Sequence, residues 1–217
     1  MAEIILVRHG QANSKAKDEA SYDRLSDLGR IQAGWLGERF RATNGHFDQV
    51  ISGTLNRQVH TAEAIGVTAP HTQDSRWNEM EYYTMSLAFE AQHGEPFPQT
   101  QHDYTGHAPR LFRAWFEDRI SDIPEAFSAF ENRVMAALDE AAAPGGRVLI
   151  VTSGGVIAAV IRRLLGLDAT GMAKVMLHTA NSSAHRVEVI DGRPYLDGFN
   201  DLSHVDAPDR AHARTYI

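Results

Sequence analysis

The sequence predicts an α/β fold, on three observations. Three short runs, Ile4-Ile5-Leu6-Val7, Asp48-Gln49-Val50-Ile51-Ser52 and Val148-Leu149-Ile150-Val151, read as strands. Each is followed closely by glycine, at Gly10, Gly53 and Gly154. Stretches with apolar residues at helical spacing lie between these runs, the alternation of a layered α/β domain. A chain of 217 residues with 43% hydrophobic content suits one domain of the larger α/β kind, so a single domain over residues 1–217 is expected.

The elements follow in order. The first strand starts almost at residue 1. Ser26 is placed to N-cap a helix whose apolar stripe is Ile31, Ala33, Leu36 and Phe40, and Asn44-Gly45 ends it. After the strand Asp48 to Ser52, Gly53-Thr54-Leu55 leads into a helix carrying Arg57, His60, Thr61, Ala62 and Ala64. Between Tyr82 and Pro124 the rhythm breaks. A helix near Thr84 to His93 precedes a loop with Gly94, Pro96, Pro98, Gly106 and Pro109, and a second helix lies near Leu111 to Arg119. Ala126 to Ala142 is helical, with Phe127, Phe130, Val134, Ala137 and Leu138 on one side, and Pro144-Gly145-Gly146 stops it. The strand from Val148 leads through Thr152-Ser153-Gly154-Gly155 to an apolar helix, Val156 to Ile161. His185 to Ile190 alternates like a strand, Asp191-Gly192 signals a hairpin, and Pro194-Tyr195-Leu196 begins the return strand. The segment from Asp206 to Ile217 is polar and alanine-rich and signals no element.

Composition narrows the function. A net charge of −7 argues against a nucleic-acid or anionic-membrane partner, since both favour a basic face. It leaves room for a phosphate pocket, where a pair of arginines sets the local field. The absence of cysteine removes disulfides, thiol catalysis and cysteine-ligated metals. Met1-Ala2-Glu3 lacks the basic start of a signal peptide, Ile4 to Val7 is too short for its apolar region, and no run has membrane-span length, so a cytoplasmic protein is expected.

The chemistry concentrates at two strand ends. Arg8-His9-Gly10 closes the first strand, where open α/β sheets place their ligand crevices. Arginine offers a fixed fork of donors for phosphate, histidine can act as a nucleophile, and glycine lets a ligand approach the backbone. Arg57 sits on the first helical turn after the second strand, where free N–H groups also attract anions. Two arginines gripping one phosphate point to phosphoryl chemistry on His9. Both lower the pKa of His9 and keep its lone pair available, and a backbone carbonyl at Gly10 is the simplest acceptor for its other nitrogen. Gln11-Ala12-Asn13-Ser14 adds amide and hydroxyl donors for phosphate oxygens or a leaving group.

Arg8-His9-Gly10 after one strand, with Ser52-Gly53-Thr54-Leu55-Asn56-Arg57 and Thr61-Ala62 after the next, resembles the histidine phosphatase superfamily, also called phosphoglycerate mutase-like. The resemblance implies a three-layer α/β/α sandwich around a mostly parallel sheet. It implies a helical cap at residues 82–124 that shapes substrate choice. The activity it implies is cofactor-free, metal-independent phosphomonoester hydrolysis through a phosphohistidine on His9, with a small phosphorylated substrate. Glu79, in Asn78-Glu79, fits the place of the proton-donating acid, and Glu81 is the alternative. One element departs. Where the family usually carries a second histidine in Ser-His-Gly-Gly, this chain has Ser153. Losing a preorganised donor to the phosphoryl oxygens typically lowers rate by about 10²–10³. Slower or rearranged catalysis, binding without turnover, and a mutase-type phosphotransferase are the readings this leaves. Thr152, Ser153 and the N–H groups of Gly154 and Gly155, or else His178, are candidates to replace the lost donor. Arg-His-Gly-x-Arg-x-Pro, the acid-phosphatase signature, is absent, and so is the mutases' fuller Asn-rich loop. Hydrolysis of an unnamed phosphomonoester is therefore expected over mutase activity. Tyr82, Tyr83, Phe97 and Tyr104 either line a pocket mouth or pack the cap onto the body. His93, His102 and His107 with Asp103 match no metal-ligand spacing, and no metal is expected.

Overall fold

The computed structural model describes residues 1–13, 15–43 and 45–216. Ser14 and Asn44, singled out above as a phosphate donor and a helix stop, lie outside the described residues, as does Ile217. One mixed sheet holds β1 (Ala2–Arg8), β2 (Gln49–Ser52), β3 (His71–Gln73), β4 (Gly146–Thr152), β5 (Ala184–Ile190) and β6 (Arg193–Asp201), in the order β3-β2-β4-β1-β5-β6. The first four in that order run parallel, and β5 and β6 are antiparallel to their neighbours. The helices are α1 (Glu19–Tyr22), α2 (Asp27–Ala42), α3 (Asn56–Ile65), α4 (Tyr82–His93), α5 (Gln101–Phe116), α6 (Phe127–Ala142), α7 (Gly154–Leu165) and α8 (Ala169–His178).

The layers follow from the two-residue alternation of strand side chains. Ile4 and Leu6 of β1, with Val148 and Ile150 of β4, pack into one core with Leu111 and Phe112 of α5, Phe130 of α6 and Ile157 of α7. The intervening Ile5, Val7, Leu149 and Val151 pack on the other face with Leu36 and Phe40 of α2 and Ala62 and Ile65 of α3. Both faces of the central strands are buried, giving a three-layer α/β fold. Ser26 caps α2 by accepting from the Gly29 N–H at 3.0 Å. Ile31 is 49% exposed, because two residues of helix turn it away from the buried Ala33. Asp191 and Gly192 have φ of 52° and 73°, the left-handed pair of a tight hairpin turn, and set the register of β5 on β6.

The segment between β3 and α6 departs most from expectation. The second helix begins at Gln101, well before Leu111, and passes through Gly106 and Pro109. Thr100 and Asp103 form a capping box at its start. An interior proline costs about 3 kcal/mol. Complete burial of Leu111, Phe112 and Trp115, each contributing about 1.5–3 kcal/mol, outweighs it. Residues 211–213 form a short 3₁₀ turn with Ala213 buried. Among the described residues, no helix is long and apolar enough to cross a membrane.

Candidate active site

β1, β2 and β4 end side by side, and three loops converge there. His9 N–H donates to the Thr152 carbonyl at 2.8 Å, tying the loop after β1 to the end of β4. Gly10 N–H donates to Thr61 Oγ1 at 3.0 Å, and Thr61 Oγ1 donates to the Arg57 carbonyl at 2.6 Å, so one threonine joins the two motifs. A side chain at Gly10 would strike the Gly29 backbone, which is why this turn requires glycine.

His9 is 2% exposed. Its Nδ1 lies 2.7 Å from the Gly10 carbonyl oxygen, which only accepts, so Nδ1 carries the proton and Nε2 keeps the lone pair. Burial, then Arg57, then Arg8 hold its pKa well below the ordinary imidazole value. The ring is neutral at physiological pH.

The two guanidinium groups are buried and pinned from behind. Arg8 Nη1 donates to the carbonyls of Thr179 and Tyr216, the latter at 2.5 Å. Arg57 Nη1 donates to Asp23 Oδ1 at 3.1 Å, and its Cζ lies 4.9 Å from the centre of the Tyr22 ring. Asp23 also accepts from the N–H groups of Asn56 and Arg57, capping α3 from a distant loop. The Nε atoms of both Arg8 and Arg57 are buried with no hydrogen-bond partner among the described residues. Unpartnered buried donors are rare and call for an acceptor.

Glu79 faces the same space. Its Oε2 accepts from Gly155 N–H at 3.0 Å and its Oε1 from Met80 N–H at 3.3 Å. Burial raises its pKa above the ordinary carboxyl value, against the opposing pull of the Gly155 N–H, Arg57 and Arg8. Glu81 is exposed at the start of α4 and accepts from Thr84 Oγ1 at 2.9 Å. Geometry thus separates the two carboxylates, and only Glu79 lines the cavity.

That cavity, of about 100 Å³, is bounded on one side by Arg8, Arg57, Glu79 and Gly154. Tyr82, Tyr83 and Tyr104 wall the side formed by α4 and α5, with Glu19 beside them and Tyr216 at the rim. Phe97 stacks on Tyr83 at 5.4 Å. Ser153 sits behind this surface, fully buried, and its Oγ accepts from Gln58 Nε2 at 2.8 Å. Gly155 N–H is engaged by Glu79 and Thr152 Oγ1 donates to Trp77 O at 2.6 Å. Gly154, first residue of α7, has no intrahelical acceptor for its N–H and lines the cavity. His178 is exposed at the end of α8, with Nδ1 on the Lys174 carbonyl at 2.9 Å, so the idea that it stands in for the absent histidine is corrected.

Gln11 and Asn13 also differ from expectation. Gln11 Oε1 accepts from Ser26 Oγ at 2.9 Å, and Asn13 Nδ2 donates to the Ser21 carbonyl at 2.9 Å. These bonds brace the loop before α2, and neither residue is among those lining the cavity. His93 meets the Arg119 carbonyl at 2.7 Å, His107 meets Tyr82 Oη at 3.1 Å, and Asp103 caps α5. The sequence reading missed Glu19, Asp23, Gln58 and Tyr216.

The fold places the protein in a known class of three-layer α/β proteins. The family model of the histidine phosphatase superfamily (branch 1) matches residues 4–202, and the chain belongs to that superfamily. A probable phosphoglycerate mutase (GpmB) of Salmonella arizonae is 29% identical over 220 residues, covering 96% of this chain and 97% of that one. Among solved structures, a phosphoserine phosphatase from Entamoeba histolytica in complex with phosphoserine has a TM-score of 0.69 at 18% identity, covering 94% of this chain and 100% of the other. A phosphoglycerate mutase from Bacillus anthracis has a TM-score of 0.68 at 20% identity, covering 94% of each. A mycobacterial glucosyl-3-phosphoglycerate phosphatase has a TM-score of 0.63 at 24% identity, covering 92% and 99%. At these identities the structural likeness speaks to the fold.

Proposed function

We propose that the protein is a metal-independent phosphomonoester hydrolase working through a phosphohistidine on His9. One observation carries the reading: a neutral imidazole stands with two buried guanidinium groups, and among the described residues neither its Nε2 nor their Nε–H donors have a partner. An ester phosphate supplies the missing acceptors, and its phosphorus then faces Nε2. The lone pair of Nε2 forms the P–N bond as the P–O bond to the alcohol breaks, and Glu79 gives its proton to the departing oxygen. The resulting carboxylate takes a proton from water, whose oxygen attacks phosphorus as the P–N bond breaks, returning the electron pair to Nε2. Arg8, Arg57 and the Gly154 N–H offset the negative charge of the transferring group, which is where most of the rate comes from in phosphoryl transfer. Ser153 enters as a buttress held by Gln58, outside the catalytic set.

The relatives carry both mutase and phosphatase names. Steady-state turnover of an aryl phosphate without added metal, lost in His9→Ala, is the expected result. Activity abolished by a chelator and restored by a divalent ion would overturn the metal-free assignment. Transfer of the phosphoryl group to a second alcohol, with no release of inorganic phosphate, would favour the mutase reading.

A further inference from the structure

The phosphoryl chemistry uses one side of the cavity and leaves the other without a role. There Glu19 stands beside Tyr82, Tyr83 and Tyr104. Glu19 Oε1 accepts from Tyr83 N–H at 2.7 Å, and its second oxygen makes no hydrogen bond among the described residues. The Tyr82 and Tyr104 rings lie 5.8 Å apart, packed on each other as one aromatic wall. Arg57 is engaged by Asp23 and the Tyr22 face. Once Arg8 and Arg57 hold an ester dianion, a carboxylate at position 19 is a surplus negative charge in a half-buried aromatic wall. A cation on the alcohol answers both the charge and the ring faces, since ammonium groups bind the electron-rich faces of aromatic side chains.

We propose, resting on the hydrolase reading above, that Glu19 with Tyr82, Tyr83 and Tyr104 forms a subsite for an alkylammonium group, making the substrate the phosphomonoester of a small amino alcohol. The cavity volume of about 100 Å³ fits this size. Burial pushes the Glu19 carboxyl up to about 7. Arg57 on α3 and the Tyr83 N–H oppose that rise, and Glu79 and Glu81 reinforce it. A bound ammonium favours the ionised form, so preference for a cationic substrate grows as pH rises through this value.

The test compares kcat/KM for phosphoethanolamine and phosphocholine with their neutral isosteres, propyl phosphate and 3,3-dimethylbutyl phosphate, on either side of pH 7. The expected preference for the cationic ester is about tenfold or more above pH 7, shrinking below it. Glu19→Gln lowers this ratio and removes its pH dependence, and Glu19→Asp restores part of it. Hydrolysis of all four esters without a cationic preference overturns the subsite and leaves the hydrolase reading standing, and so does a preference that is undiminished in Glu19→Gln. Calorimetric binding of the same four esters to His9→Ala separates the other case. Tighter binding of the cationic members, with no turnover by the wild type, supports the subsite and overturns hydrolysis. Equal binding of all four overturns the subsite.

Discussion

Replacing Asp23 isolates how Arg57 is held. The carboxylate accepts from Asn56 N–H at 2.9 Å, Arg57 N–H at 3.0 Å and Arg57 Nη1 at 3.1 Å, so it caps α3 and orients the guanidinium at once. Removing an N-terminal cap costs about 1 kcal/mol. A hydrogen bond to a charged partner adds about 1.5–3 kcal/mol. The side chains are 3% and 16% exposed, so solvent screens the pair little. Asp23→Ala should therefore lower unfolding free energy by about 2–4 kcal/mol, read from urea midpoints at constant slope. It should also lower kcat/KM on an aryl phosphate by about 10–100-fold, because a displacement of about 1 Å at a phosphate clamp is that damaging. Asp23→Asn keeps an acceptor for the helix N-terminus and should fall between the variant and the wild type in both measurements. If Asp23→Ala loses the stability while kcat/KM stays within about twofold, the idea that Asp23 positions Arg57 for catalysis fails.

Three further outcomes are expected. Glu79→Gln should depress turnover of alkyl phosphates much more than of aryl phosphates, whose leaving groups need little protonation, and the reverse assignment follows if Glu81→Gln shows that selectivity instead. Ser153→Ala removes the acceptor for Gln58 Nε2, which keeps its bond to the Trp77 carbonyl; a loss of about 1 kcal/mol in stability with kcat/KM nearly unchanged is expected, and a fall in rate of about a hundredfold would place the Ser153 hydroxyl on the phosphoryl group after all. Burial holds His185 down to about 3 and His204 to about 4, so the unfolded chain takes up these protons first as pH falls below about 6.5. Each contributes about 1.4 kcal/mol of lost stability per pH unit until its folded pKa is reached. Glu19, raised to about 7, works in the opposite direction down to about 4.5, so the decline should steepen below that pH, and a urea midpoint that stays level from about pH 6.5 to pH 4 would contradict the burial argument.

Much of the central sheet was legible because its strands repeat a local rule. Ile4 to Val7 and Val148 to Val151 are apolar on both faces, as strands covered by two helix layers must be. The Arg8 and Arg57 motifs were legible because backbone turns fix their spacing. β3 carried no signal, since His71, Thr72 and Gln73 are all exposed at a sheet edge. The early start of α5 was hidden by Gly106 and Pro109, local breakers overridden by burial that only the folded chain reveals. Asp23, Gln58 and Tyr216 belong to no periodic pattern. Each acts across a long separation on a partner supplied by tertiary packing, as Gln58 does on Ser153. Gln11 and Asn13 show the converse: their amides suit phosphate, while in the fold Gln11 Oε1 accepts from Ser26 and Asn13 Nδ2 donates to the Ser21 carbonyl.

The hold on Arg8 gives the protein a temporal property. Its Nη1 reaches carbonyls 171 and 208 positions further along the chain, and the Thr215 carbonyl accepts from the Asn181 N–H next to them. At about 5–20 residues per second, a ribosome adds Tyr216 on the order of ten or more seconds after Arg8. Throughout that interval the nascent chain carries Arg8 without its Tyr216 acceptor. The hydrogen-bonded placement of the Arg8 guanidinium is thereby confined to molecules whose synthesis has passed Tyr216.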